Sequence, residues 1–388
     1  MRSRAFNIDE LHAVTGEPPD FHPPEASSQG GRISGSRHLK PIYLIVALVL
    51  AALLGYWRFH NTPFQWGAFA ANFRDVNWGW AVTAMVFILL TYVGRAIRWR
   101  VMMRHLNAQL PFSTLVSCTL IGFTAVVLSG RPGEFVRPYL IANRAGVTLS
   151  SQIAAWMIER ILDLVMVLLI FGVALSQIRH GTAQPGPNLQ LILSTGGWSI
   201  GLLAALCLVI LLGFRHFRGR AQQRISDALG VLPAAMHRKV DGFLQAFAIG
   251  TDALRSTSAV GLLIVYSLLE WVLIAIAYYA SFQSFPATSR LSVIDVVIAL
   301  GFISFGSVVQ IPGIGGGLQV AAIFVLTQLF QLTLEEASGV ALALWLVNYV
   351  SVVPVGLVLA FREGLNWNRI KHIEEEVGEN PTFPTTRV

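Results

Sequence analysis

Glu159, Arg160 and Asp163 interrupt an apolar run that begins near Ile153, and upstream the segment Gly130 to Pro138 (GRPGEFVRP) carries Arg131, Glu134 and Arg137 at a point broken by glycine and proline. At a rise of ~1.5 Å per residue, Arg160 lies roughly 10 Å along the helix that this run predicts. At ~3.6 residues per turn, Glu159 and Asp163 are about 40° apart and Arg160 lies within about 100° of either, so the three share one face. Each such charge costs ~2.5–3.5 kcal/mol to insert into a bilayer, and together they approach ~10 kcal/mol unless partnered or hydrated. Arginine forks bind phosphate bidentately, and a helix start after a glycine turn offers free N–H groups to the same anion. A bound phosphodiester would displace part of the internal pairing, and the released carboxylate would take a proton or a head-group ammonium. The six charges are three arginines and three carboxylates, a balanced set suited to a zwitterionic head group. The plainer alternative is that they pair with one another and only pin two segments together, as buried charges normally do.

A second break, Ile311 to Gly317 (IPGIGGG), sits at a matching place in the other half of the chain. Pro312, Gly313, Gly315, Gly316 and Gly317 remove side chains and one backbone donor, which allows close backbone approach or exposed amides; close packing of small residues between membrane helices is the plainer reading. Gln310, Gln319 and Asn348 are polar residues nearby, suited to inter-helix hydrogen bonds or to lining a polar path. Glu270, beside Trp271, is a further acid in an apolar run, with no partner evident in the sequence. Breaks of this kind in membrane helices persist where they line a cavity, and paired breaks in corresponding halves mark the substrate site of transporters with repeated topology.

The elements that must position these groups are membrane helices. The 388 residues are 54% hydrophobic and 13% charged, with a mean hydropathy of +0.60, which predicts an all-α polytopic membrane protein. Cys118 and Cys207 lie in apolar segments and exclude a disulfide framework. The nine histidines fall in tails and loops without HExxH spacing, so neither a metal site nor a cofactor is expected. The formal charge of +7 reads as an orientation signal in such a chain, with no nucleic-acid partner implied.

Residues 1–40 are rich in Pro, Ser and Gly and predict a disordered cytoplasmic tail; 41–365 form the transmembrane region, with a cytoplasmic amphipathic segment at 215–256 (Val240, Phe243, Leu244 and Phe247 at helical spacing); 366–388 form a second cytoplasmic tail. Basic residues mark inner loops. Arg95, Arg98, Arg100 and Arg104 after a span at Gly79 to Gly94 read as one such loop, and Arg215 to Arg255 as another. Three apolar stretches between them (Phe112–Ser129, Ile153–Leu175, Trp198–Phe214) cannot all cross and return to the same side, so the stretch ending in GRPGEF is expected to be re-entrant. The same parity makes Leu291–Phe330 a second hairpin. The expected architecture is two inverted repeats, each with three spans and one re-entrant helical hairpin; eight full spans is the alternative.

GRPGEFVRPYL, followed by an ER pair with an Asp three residues on (Glu159, Arg160, Asp163) and by a PG-rich motif in the second half, resembles the transmembrane family of lysylphosphatidylglycerol synthases, also called flippase-like or UPF0104 proteins. The resemblance covers roughly residues 41–365. It implies movement of lipids between leaflets, and it carries Arg131, Glu134, Arg137, Glu159, Arg160 and Asp163 as head-group or gating residues. Gln319 departs from the pattern, standing where the family's second glycine motif often has a glutamate. The segment after Phe361 is too short for the aminoacyl-transferase domain of the best-known members, so the synthase activity is not carried over.

The expectation is therefore a bacterial inner-membrane lipid translocator with both termini cytoplasmic, moving a phospholipid or polyprenyl-linked lipid, with no catalytic residues and with membrane lipids as its partners. A lipid-binding scaffold or regulator without transport is the first rival. A membrane glycosyltransferase is the second, for which Asp75 is the sole nearby base.

Overall fold

The computed structural model describes residues 64–106, 110–177, 256–307, 310–311 and 315–364, with scattered positions between 203 and 254. The expected tails (1–40 and 366–388), the first span and most of the amphipathic segment lie outside the described residues.

Helix α1 (Trp66–Ala71) is short and leads into α2 (Trp78–Met103), whose start is set by Asn77, its side chain accepting from the Gly79 and Trp80 amides. At ~1.5 Å per residue α2 is ~39 Å long, more than the ~30 Å of a bilayer core. The sequence reading ended this span at Gly94 and placed the following arginines in a loop; the helix instead continues nine residues further, to Met103. Arg98 and Trp99 are fully buried, whereas Arg100 and Arg104 are exposed. Charge alone could not show this, because a cation is a loop signal only when no other helix supplies it with acids.

α3 (Phe112–Ser129) and α4 (Val136–Ala145) form a helical hairpin joined by a 3₁₀ turn at Arg131–Phe135. The reversal is at Gly130, with φ 76° and ψ −145°, a conformation that needs glycine. Two further glycines let the arms touch. A β-carbon on Gly122 would lie 2.5 Å from that of Arg137, and one on Gly133 would lie 2.5 Å from the Ala125 carbonyl. The GRPGEF motif therefore fixes how deep Arg137 sits.

α5 (Leu149–Gln177) is long and carries the charged triad, and α6 (Thr257–Gln283), started by the Ser256 side chain, packs along α2. A second helical hairpin follows, α7 (Val293–Gly306) and α8 (Gly317–Leu329), with a capping box from Ser292 and Asp295 at its entry. Between its arms Gln310 pairs with Gly316 and Ile311 with Gly315 in an antiparallel ladder two residues long. Its arms of 14 and 13 residues reach ~20 Å each, short of a bilayer core. α3, by contrast, has 18 residues and is long and apolar enough to cross, so the two hairpins are not of equal reach. α9 (Leu334–Trp345), opened by a Thr333–Glu336 capping box, runs through a π-helical turn at Leu346–Val350 into α10 (Val352–Arg362), one 29-residue apolar rod.

Among the described residues, four helical segments are long and apolar enough to cross a membrane: α2, α3, α6 and the α9–α10 rod. The chain is an all-α polytopic membrane protein. Each hairpin has its own apolar core. Trp99, Leu115, Ile121, Ile141 and Ile158 pack around the first, and Phe282, Ile298, Ile303, Leu326 and Leu344 around the second. α5 joins them, with Ile158 in one cluster and Ala174 in the other.

Candidate functional site

Where α2, α5, α6 and the first turn of α4 meet, seven charges converge. Glu159 is the hub. Its Oε1 accepts from Arg98 at 2.6 Å and from Arg95 and Arg137 at 3.3 Å, its Oε2 takes a second bond from Arg137, and Arg160 lies 3.6 Å away. Asp163, one turn along α5, meets Arg98 at 2.7 Å, Arg160 at 3.1 Å and Arg95 at 3.6 Å. Glu270 comes from α6, 2.7 Å from Arg95 and 3.3 Å from Arg98; it is held by charge, since neither of its oxygens meets hydrogen-bond geometry. Ser267, one turn earlier on α6, accepts from Arg98 at 3.0 Å.

Aromatic rings complete the setting. The Arg137 guanidinium lies 4.1 Å from the Trp99 ring and 5.1 Å from Phe123, and Arg95 sits 4.8 Å from the Phe123 ring. Flat cations stacked on rings and forked onto carboxylates are what arginine does and lysine does not. Leaving one of these groups without its partner would cost about 3–5 kcal/mol, so the cluster is rigid at its centre.

A cavity of about 350 Å³ opens against this cluster, and both hairpins reach it: Arg131 and Arg137 from the first, Ser304, Ser307 and Leu318 from the second. The π-helical turn also faces it, with Asn348 and Tyr349 on its wall. There Ser351 N–H reaches back to the Leu346 carbonyl at 2.9 Å, and the Asn348 carbonyl accepts from Tyr92 Oη at 3.3 Å. π-turns recur at functional sites because the extra residue re-aims side chains and a carbonyl.

Of the residues expected from the sequence, Arg137, Glu159, Arg160 and Asp163 come together. Arg131 and Glu134 instead pair with each other at 2.7 Å beside the cavity, with Arg131 half exposed. Gln319 accepts the Gly316 amide at 2.7 Å and so caps α8, and the Asn348 side chain donates to the Leu344 carbonyl of its own helix at 2.7 Å. Pro312 and Gly313, and the side chain of Gln310, lie outside the described residues. Arg95 and Arg98 were missed, and Glu270 now has the partners that the sequence left open. Thr91, Tyr92, Arg95 and Arg98 recur at spacings of three and four within an apolar run, a one-faced polar stripe that was the signal available.

The charge count differs too. Four arginines (Arg95, Arg98, Arg137, Arg160) face three carboxylates (Glu159, Asp163, Glu270), so the described cluster carries one positive charge in excess where the sequence set was balanced.

A family model described as the lysylphosphatidylglycerol synthase TM region matches residues 44–356. No curated protein and no solved structure matches the chain.

Proposed function

Since the chain belongs to the transmembrane family of lysylphosphatidylglycerol synthases, we propose that it is a lipid translocator, carrying the head group of a phospholipid or polyprenyl-linked lipid between leaflets of the bacterial inner membrane without covalent chemistry. The carrying observation is that one cavity touches both hairpins and the charged cluster. Its roughly 350 Å³ is at the low end of the ~300–1,000 Å³ that enclose small molecules. That is room for a head group whose acyl chains stay in lipid. A polar path is all such a substrate needs, and hydrocarbon offers none, so charges held at membrane depth beside two helix breaks supply it. In this reading the two hairpins belong to inverted repeats that rock about the cavity, the termini are cytoplasmic, and lipid is the partner.

One observation favours a second reading, a scaffold that binds lipid without moving it: Arg98 and Glu159 are fully buried and ion-paired at 2.6 Å, as structural pairing requires. Leaflet exchange of head-group-labelled lipids in proteoliposomes separates the two. The translocator exchanges lipid, and Arg160→Ala at matched reconstitution slows exchange with folding retained. Absence of exchange for zwitterionic, anionic and polyprenyl lipids, with and without a proton gradient, refutes transport and leaves the scaffold.

A further inference from the structure

The excess positive charge has a location. Arg98 is fully buried; of the cluster's arginines that line the cavity, Arg137 is 4% exposed, Arg95 13% and Arg160 33%, while Arg131 on the same wall is paired with Glu134. Its two acidic neighbours are already shared: Glu159 serves Arg95, Arg98 and Arg137, and Asp163 serves Arg95 and Arg98. The Arg160 Nε is out of contact with water and has no hydrogen-bond partner. On α6 the same is true of Trp271 Nε1, another donor on the same cavity wall. The residues that carry these two unpaired N–H groups thus line one space beside the cluster with its surplus positive charge, and Glu134, whose Oε2 also lacks a hydrogen-bond partner, lines it too. The rest of the wall is mixed: Val127, Leu164, Val167 and Phe305 form an apolar part, and Thr91, Ser304, Ser307 and Asn348 a polar one.

We propose that the cavity selects a head group with one net negative charge, its phosphodiester oxygens accepting from Arg160 and Trp271. A monoanion neutralises the excess without disturbing the Glu159 hub. A zwitterion leaves the cluster with its uncompensated cation, a dianion reverses the sign, and a cationic head adds to it, each unfavourable at membrane depth. Arg160 and Trp271 are then the specificity-determining residues, and the apolar wall takes the glycerol and the first carbons of the chains. This selection rests on the translocation reading for its consequence, but not for its binding chemistry.

Binding is measured on the purified protein in nanodiscs, by competition among lipids with identical acyl chains: phosphatidylglycerol, phosphatidylethanolamine and lysylphosphatidylglycerol. Water-soluble glycerophosphoglycerol, a phosphodiester monoanion, is the chain-free arm. Phosphatidylglycerol should bind about tenfold tighter than phosphatidylethanolamine, the low end of what one charge-assisted hydrogen bond supplies. Arg160→Gln should bring that ratio close to one, and Trp271→Phe, which keeps the ring, should lower it by a few-fold. Equal or tighter binding of the zwitterionic or the lysylated lipid overturns the proposal, as does a phosphatidylglycerol preference unchanged in both variants. Glycerophosphoglycerol binding as tightly as the lipid reassigns the site to a soluble anion and overturns it as well. Leaflet exchange, measured alongside, keeps the two readings apart: exchange without head-group preference refutes the selection alone, and preference without exchange refutes translocation alone.

Discussion

Replacing Glu159 by glutamine keeps the side chain's shape and removes one charge from the centre of the cluster. All four arginines lie within 3.6 Å of this carboxylate, and it is the one acid in ion-pair contact with Arg137 among the described residues. In the variant the count passes from four against three to four against two, and Arg137 stays buried between Trp99 and Phe123 with no acid in reach. Breaking a buried pair on one side costs about 3–5 kcal/mol, or roughly two to three and a half powers of ten in the unfolding equilibrium at ~1.4 kcal/mol each. Glu134→Gln is the matched control. It also breaks an arginine pair, but Arg131 is half exposed, and such pairs are worth about 0–1 kcal/mol. Unfolding in a graded denaturing detergent, followed by tryptophan fluorescence, reads both, and the cycle with Arg137→Gln isolates the pair. A Glu159→Gln protein within about 1 kcal/mol of the parent, or a Glu134→Gln protein that is the less stable of the two, would refute the assignment of Glu159 as the hub.

The glycines of the first hairpin give a second outcome. Gly122→Ala and Gly133→Ala each place a methyl 2.5 Å from the facing arm and should cost about 1–3 kcal/mol by overpacking while slowing leaflet exchange, because Arg137 is displaced from Glu159; Gly94→Ala and Gly172→Ala, where a β-carbon meets nothing within 4 Å, should leave both readouts unchanged. Gln319→Ala removes the acceptor for the Gly316 amide and should destabilise by about 0.5–2 kcal/mol, the range of a lost helix cap, with Gln319→Glu retaining most of it; equal loss in both variants would show that the cap is not what Gln319 supplies. Tyr92→Phe deletes the hydroxyl that donates to the Asn348 carbonyl and should cost about 0.5–1.5 kcal/mol, with the loss confined to the π-turn as seen by amide exchange of residues 346–351; uniform loosening along the rod would refute a local role.

Much of this was legible before any coordinates. Composition required membrane helices, and GRPGEF required a broken one, because a glycine with positive φ and two glycines at arm-to-arm contacts are local demands that sequence states directly. The triad on α5 followed from helical spacing alone. Arg95, Arg98 and Glu270 were illegible for a different reason: a charge in an apolar run reads as a loop or an orphan until another helix is seen beside it, and the packing of α2 against α6 is long-range. The expected balance of charge failed at that same step. It counted Arg131 and Glu134, which pair with each other locally, and omitted three groups whose partners lie more than a hundred residues away or on a neighbouring helix.

The correction changes what the site can do. A balanced, self-satisfied set would serve as a pin, and nothing about it would call for a ligand. A cluster with one arginine more than its carboxylates balance, and its most exposed guanidinium on the cavity side, favours an anion there. The tight glycine contacts then acquire a purpose beyond packing. They hold Arg137 against Glu159, which leaves Arg160 as the most exposed guanidinium of the cluster on the cavity wall. Loosening the hairpin would withdraw Arg137 and let Arg160, 3.6 Å from Glu159, close on that carboxylate, drawing its charge off the cavity wall while leaving the volume intact. The same substitutions that weaken the fold at Gly122 and Gly133 should therefore erase head-group preference before they erase lipid binding, an order of loss that a merely structural network would not produce.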